Sequence, residues 1–142
     1  MRLLPLLTPL LLVGCDPAPK TAPRLEPPAL ILPASVKELT PDEAETFLTA
    51  QPAALIIDAR MLEELKNHGH IARAQNIDFL NEKAAAEALQ QLDKSRPALV
   101  YCAIGGRARQ MAVQMAGIGF KDVKVLAGGF NAWVAAGKPV TR

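Results

Sequence analysis

The chain has 142 residues, half of them hydrophobic, with 16 Lys and Arg against 14 Asp and Glu and a formal charge of +2. That apolar content excludes wholesale disorder, and the length is that of one domain. Scattered and nearly balanced charge excludes an electrostatic footprint for nucleic acid, while two cysteines, Cys15 and Cys102, exclude a disulfide framework and a cysteine-built zinc site.

Met1 and Arg2 make a positive start, and Leu3 to Val13 form an apolar run of eleven residues with seven leucines. A helix needs about 20 apolar residues to span a bilayer, so this run has the length of a signal-peptide core. It ends in Leu12-Val13-Gly14-Cys15, which resembles the bacterial lipobox, where the cysteine forms a thioether with diacylglycerol and becomes the new N-terminus. An ordinary secretory signal is the plainer alternative. Residues 1–14 are accordingly expected to be a lipoprotein signal peptide and Cys15 the lipidation site, anchoring the protein in the cell envelope facing the periplasm. Asp16 follows directly, and in the enterobacterial lipoproteins this resembles, an aspartate there favours the inner membrane.

Residues 15–34 hold prolines at 17, 19, 23, 27, 28 and 33, which favours an extended tether over helix or strand. At ~3.1 Å per residue the stretch from Asp16 to Pro33 reaches at most ~55 Å. Ala29 to Leu32 is an apolar island that either belongs to this spacer or packs on the domain as an early strand.

Residues 35–142 read as the globular part. Thr40-Pro41-Asp42-Glu43 combines an N-cap residue, proline at the first helical position and a glutamate placed for a capping box, predicting a helix over 41–50. Leu55-Ile56-Ile57-Asp58 is a short apolar run, the mark of a strand covered on both faces. A helix is predicted over 84–92, a buried strand over 98–101, a helix over 108–116 with Met111, Met115 and Ile118 at core spacing, a third strand over 123–126 and a last short helix over 129–135. Strand and helix alternate, which predicts an α/β domain with a mainly parallel central sheet and helices on both faces.

Ligands of an open parallel sheet bind where strands end and helices begin. Cys102 lies there, directly after the predicted strand Ala98-Leu99-Val100-Tyr101, with Gly105 and Gly106 just before the next helix. Such glycines let the backbone curl so that amide N–H groups converge, and a thiolate at that focus, facing a helix N-terminus, is stabilised. The same cradle suits an anionic substrate, and Arg107 adds a fork-shaped cation. An isolated cysteine after an apolar strand is also commonly a small buried hydrophobe. Use as a nucleophile requires the sulfur to be both ionised and reachable.

Four segments then resemble the rhodanese-like domain in order and spacing: Asp58-Ala59-Arg60; Gly69-His70-Ile71 with Ala74 and Asn76-Ile77; Val100 to Ala108; and Gly128-Gly129-Phe130-Asn131-Ala132-Trp133. The resemblance covers roughly residues 36–139 and implies the three-layer fold of that family. It also implies a sulfurtransferase in which Cys102 takes sulfane sulfur from a small anionic donor such as thiosulfate, becomes a persulfide and passes the sulfur to a thiol or cyanide. Cys102 is the expected catalytic residue. Amides from Ala103, Ile104, Gly105, Gly106 and Arg107 form the expected substrate-binding loop, with Arg107 orienting the donor and no metal or organic cofactor implied.

The loop gives Cys-x4-Arg, with Ala108 one position further on. Related phosphatases and arsenate reductases use Cys-x5-Arg to surround a tetrahedral oxyanion, so the six-residue loop points away from phosphoryl transfer. Ala103 and Ile104 stand where active relatives often carry polar or basic residues, and Ala108 where serine is common. That makes thiosulfate a weak donor and leaves room for an uncharged persulfide or a protein persulfide partner. A non-catalytic binding or sulfur-carrier module in the envelope is the alternative function. Thiol protection through a sulfenic acid is another, and with no resolving cysteine it would need an outside reductant.

The remaining polar residues are expected to be structural. His68 and His70 lack a third metal ligand in view, and the resemblance gives His70 the task of tying its loop beneath the sheet. Asp58 and Arg60 are expected to brace the loop after the strand, with Arg60 paired to Glu63 or Glu64. Trp133 is expected to fill core space behind the last strand.

Overall fold

Apolar strands such as Leu55–Asp58 and Ala98–Tyr101 are stable only when both of their faces are covered, and the chain covers them by passing through a helix after every strand. In a computed structural model, residues 28–142 are described. The order is β1 (Val36–Leu39), α1 (Pro41–Ala50), β2 (Leu55–Asp58), α2 (Leu62–His68), β3 (Gln75–Asn76), α3 (Glu82–Gln90), β4 (Ala98–Tyr101), α4 (Gly106–Gly117), β5 (Val123–Leu126) and α5 (Gly129–Ala135). The signal peptide at 1–14, Cys15, Asp16 and the tether through residue 27 lie outside the described residues.

The five strands form one sheet in the order β1-β5-β4-β2-β3, and every pairing is parallel. The expected α/β architecture is thus observed, with a wholly rather than mainly parallel sheet. Strand parity divides the core in two. Leu55, Ile57, Ala98, Val100, Val123 and Val125 point to one face, where they meet Ala85 and Leu89 of α3 and Ala108, Met111, Ala112 and Met115 of α4. Ile56, Leu99, Tyr101 and Leu126 point to the other, against Ala44 of α1 and Phe130 and Trp133 of α5. Burying a Leu, Ile, Val, Phe or Met side chain in such layers is worth about 1.5–3 kcal/mol.

Local chemistry sets the helix starts. The Thr40 hydroxyl accepts the Glu43 N–H at 3.3 Å and the Glu43 carboxylate accepts the Thr40 N–H at 2.8 Å, the capping box expected for α1. Asn81 caps α3 by accepting the Ala84 N–H at 3.4 Å, which starts that helix two residues before the expected Ala84. The early strand is β1, not the island at 29–32. Ile31 is 88% exposed and only Leu32 packs on the core. Trp133 is buried as expected, and its indole N–H donates to the Pro139 carbonyl at 2.8 Å.

Candidate active site

Cys102 continues the alternation of β4 and falls on the α3/α4 side with Val100. The chain then turns through Ala103, Ile104 and Gly105 before α4 begins at Gly106. Gly105 has φ +118°, a left-handed value that side-chain-bearing residues rarely adopt. This turn brings its N–H to the Cys102 Sγ at 3.0 Å. Of the amides from Ala103 to Arg107, that of Gly105 is the one hydrogen-bonded to the sulfur.

A second segment fixes the loop from behind. The carbonyls of Cys102 and Ala103 accept the N–H groups of Phe130 and Asn131 at 2.7 and 3.1 Å, so the first turn of α5 supplies partners for two buried loop carbonyls. Because a trans peptide sets its N–H opposite its C=O, the amides of Ala103 and Ile104 face away from α5. Gly129 makes the close approach possible. A Cβ there would overlap the Cys102 carbonyl oxygen and the Ala103 carbonyl group.

Exposure differs sharply along the loop. Cys102 is 1% exposed and Ile104 72% exposed, with Ala103 and Arg107 between. The expectation of a freely reachable sulfur is not met in this loop conformation: the thiol lies beneath the turn, with Ile104 outermost.

Arg107, at the loop's end, forms a two-pronged ion pair with Glu64 of α2. Its Nη1 and Nη2 donate to Oε2 and Oε1 at 2.8 and 3.0 Å, with the side chains 22% and 23% exposed. Glu64 Oε2 also accepts the Met61 N–H at 3.0 Å. Hydrogen bonds from Arg107 act most strongly; burial opposes them, and with help from the Met61 N–H and nearby positive charge they hold the Glu64 carboxyl below its ordinary range. Arg107 is correspondingly raised, first by its hydrogen bonds to Glu64, then by the charge of that carboxylate and, to a lesser extent, by Cys102.

The expected pairing of Arg60 with Glu63 or Glu64 is overturned. Arg60 turns back to Asp58, donating from its own N–H and Nε to Oδ1 at 3.0 and 2.9 Å and from Nη2 to Oδ2 at 2.7 Å. The reason is burial: Asp58 and Arg60 are 0% and 2% exposed, and a buried cation needs a buried counter-charge, whereas Glu63 is exposed. Arg60 also donates to the Gly69 carbonyl at 2.8 Å, and its guanidinium lies 4.2 Å from the Phe130 ring centre and 5.6 Å from that of Tyr101. Burial alone would lower the Arg60 pKa, yet the hydrogen bonds and charge of Asp58 leave it raised. The Tyr101 hydroxyl, which accepts the Ile71 N–H at 3.0 Å, is pushed up first by burial and then by the charge of Asp58.

His70 exchanges two main-chain hydrogen bonds with Thr141, both 2.8 Å, and its Nδ1 sits 2.9 Å from the Ile71 carbonyl. The structure thus brings Cys102, Ala103, Ile104, Gly105, Gly106 and Arg107 into one loop, with the Asp58–Arg60 pair against Phe130, whose N–H holds that loop, while His70 bonds the C-terminal segment at Thr141. Residues that sequence reasoning missed are Glu64, as the partner of Arg107, and Gly129, as the contact behind the sulfur's own peptide. The glycine pair at 128–129 and the carboxylate in the first turn after Arg60 were the available signals.

Comparison with known proteins agrees with this geometry. The family model described as rhodanese-like domain matches residues 40–136. The thiosulfate sulfurtransferase GlpE of Pseudomonas fluorescens is 30% identical over 97 residues, 68% of this chain and 84% of that protein. Its counterpart from Shewanella oneidensis is 36% identical over 86 residues, 61% of this chain and 81% of that protein. A rhodanese-related protein from Thermoplasma volcanium superposes with a TM-score of 0.63 at 25% identity, covering 73% of this chain and 96% of that one. Since the matched span runs from the cap of α1 through the end of α5 and includes the whole cysteine loop, the chain belongs to the rhodanese-like domain family.

Proposed function

We propose that the protein is a sulfurtransferase that carries sulfane sulfur on Cys102. The observation that supports this most is the Gly105 N–H aimed at the Cys102 sulfur at 3.0 Å, at the junction of β4 and α4. With thiosulfate, the Cys102 thiolate attacks the outer sulfur and the sulfur–sulfur bond breaks. Sulfite departs with the bonding pair, leaving Cys102 as a persulfide anion. Cyanide or a thiolate then attacks the outer sulfur, and the Cys102 thiolate leaves unchanged, the double displacement of covalent catalysis. The Gly105 N–H accompanies the sulfur atom that alternates between thiolate and disulfane, and the peptide contacts from α5 hold that donor in place. Incubation with thiosulfate is expected to add one sulfur atom to the intact protein, removable by cyanide and absent in Cys102→Ser. Mass spectrometry reads all three, and a wild-type mass left unmodified by both thiosulfate and a small-molecule hydropersulfide would refute the proposal.

The 1% exposure of Cys102 favours a second reading, a rhodanese-like module that binds a partner without turnover. In that case the same mass measurement finds no sulfur uptake.

For location, the proposal is a lipid anchor at Cys15 with the domain facing the periplasm, supported by the basic start, the eleven-residue apolar run and the Gly14-Cys15 step. Labelled palmitate is expected to enter the protein expressed in bacteria and not its Cys15→Ser variant; equal labelling of the two would refute it.

A further inference from the structure

Resting on the sulfurtransferase reading, we propose that Glu64 is a positioning residue that sets donor choice at Cys102, favouring a hydropersulfide, R–S–SH, over thiosulfate. Arg107 is the one cation in the loop sequence from Cys102 to Arg107, and its fork is engaged on both sides by Glu64 at 2.8 and 3.0 Å. Neighbouring guanidinium groups are committed elsewhere: Arg60 to the buried Asp58, and Arg109 to Glu38 at 2.5 Å. The loop therefore presents a neutral pair where a free guanidinium would present a full positive charge.

A thiosulfate dianion entering there loses water without gaining a counter-charge, and Ala103 and Ile104 have no side-chain hydrogen-bonding atom to replace that water. A hydropersulfide avoids most of this cost because its transferable sulfur carries at most one negative charge. Its R group also has apolar surface to meet. Ile104 is 72% exposed, and Met61 and Leu62, at the start of the helix whose Glu64 reaches the loop, are 40% and 47% exposed.

The step balances without a further reactant. The Cys102 thiolate attacks the outer sulfur of R–S–SH, the sulfur–sulfur bond breaks, and R–S⁻ leaves with the bonding pair. Cys102 becomes Cys–S–SH, keeping the proton on the transferred sulfur. Total charge and oxidation state are conserved, since the sulfane sulfur only changes its bearer.

The test is single-turnover sulfur loading of the purified full chain, followed by mass, with thiosulfate and the persulfide of 2-mercaptoethanol as separate donors. Wild-type protein is expected to half-saturate at a lower concentration of the persulfide. Glu64→Gln keeps the shape and a carbonyl acceptor for the Met61 N–H but removes the charge. It is expected to lower the half-saturating thiosulfate concentration about tenfold relative to that of the persulfide. Glu64→Asp, which retains the charge, is expected to keep wild-type selectivity, and Glu64→Ala to shift in the same direction as Glu64→Gln, which separates charge from packing. A selectivity change below about threefold in both neutral variants, a change toward the persulfide, or a wild-type preference for thiosulfate overturns the inference. If both donors load Cys102 and selectivity stays fixed, the inference alone falls. If neither donor loads wild-type protein, the sulfurtransferase reading falls and takes the inference with it.

Discussion

Two arginine–carboxylate pairs flank the same end of the sheet, and they differ in what surrounds them. Asp58 and Arg60 are sealed at 0% and 2% exposure, with the guanidinium against two aromatic rings and the Gly69 carbonyl. Glu64 and Arg107 keep more than a fifth of their surface in solvent and join a helix to the cysteine loop. The first pair is sequestered, so neither partner is available to a ligand and losing one strands a charge in the core. The second is open to solvent and to an approaching ligand, and losing one partner strands no charge in the core. Chemical similarity of the pairs thus says little about their roles; solvent access separates scaffold from site.

The comparison breaks most readily at the buried pair. Asp58→Asn leaves Arg60 charged and unmatched among aromatic rings, with an expected loss of about 3 kcal/mol or more in stability, read as a lowered urea midpoint. A midpoint unchanged from wild type would mean that the guanidinium finds water or another partner and that burial is not what distinguishes the two pairs. At the accessible pair the effect is smaller and depends on pH. Glu64 has a folded-state pKa below its ordinary value of 4.5, so its contribution to stability is present above that value and is lost as pH falls through the lowered one. Glu64→Gln is therefore expected to cost about 0.5–1 kcal/mol at neutral pH and to match wild type in acid below the folded-state value. Chemical denaturation at several pH values measures this, and a difference independent of pH would remove the ion pair as its source.

Features that depend on neighbours in the chain were legible from sequence. The capping box of α1 lies within four residues, β2 and β4 announce themselves as near-continuous apolar runs, and β5 as a short stretch rich in valine and leucine. The cysteine loop was legible for the same reason: strand, sulfur, glycines and arginine are contiguous. By contrast, β1 is an edge strand whose Lys37 and Glu38 are exposed, so it lacks the apolar continuity of the interior strands. The seven-residue α2 follows Met61, whose side chain makes no capping hydrogen bond, and β3 has only two residues, too few to establish a period. Arg60 and Arg107 could not be matched to carboxylates from spacing alone. One partner lies two residues back and the other 43 residues away, and relative burial, which only the assembled fold supplies, decides between them.

Gly129 lets peptide groups meet without any side chain intervening, as the amides at 130 and 131 grip the carbonyls at 102 and 103. Main-chain groups are common to every amino acid, so this grip does not depend on which side chains decorate the turn. Ala103 and Ile104 can therefore drift in character over evolutionary time, retuning what approaches the sulfur while its own seat stays unmoved.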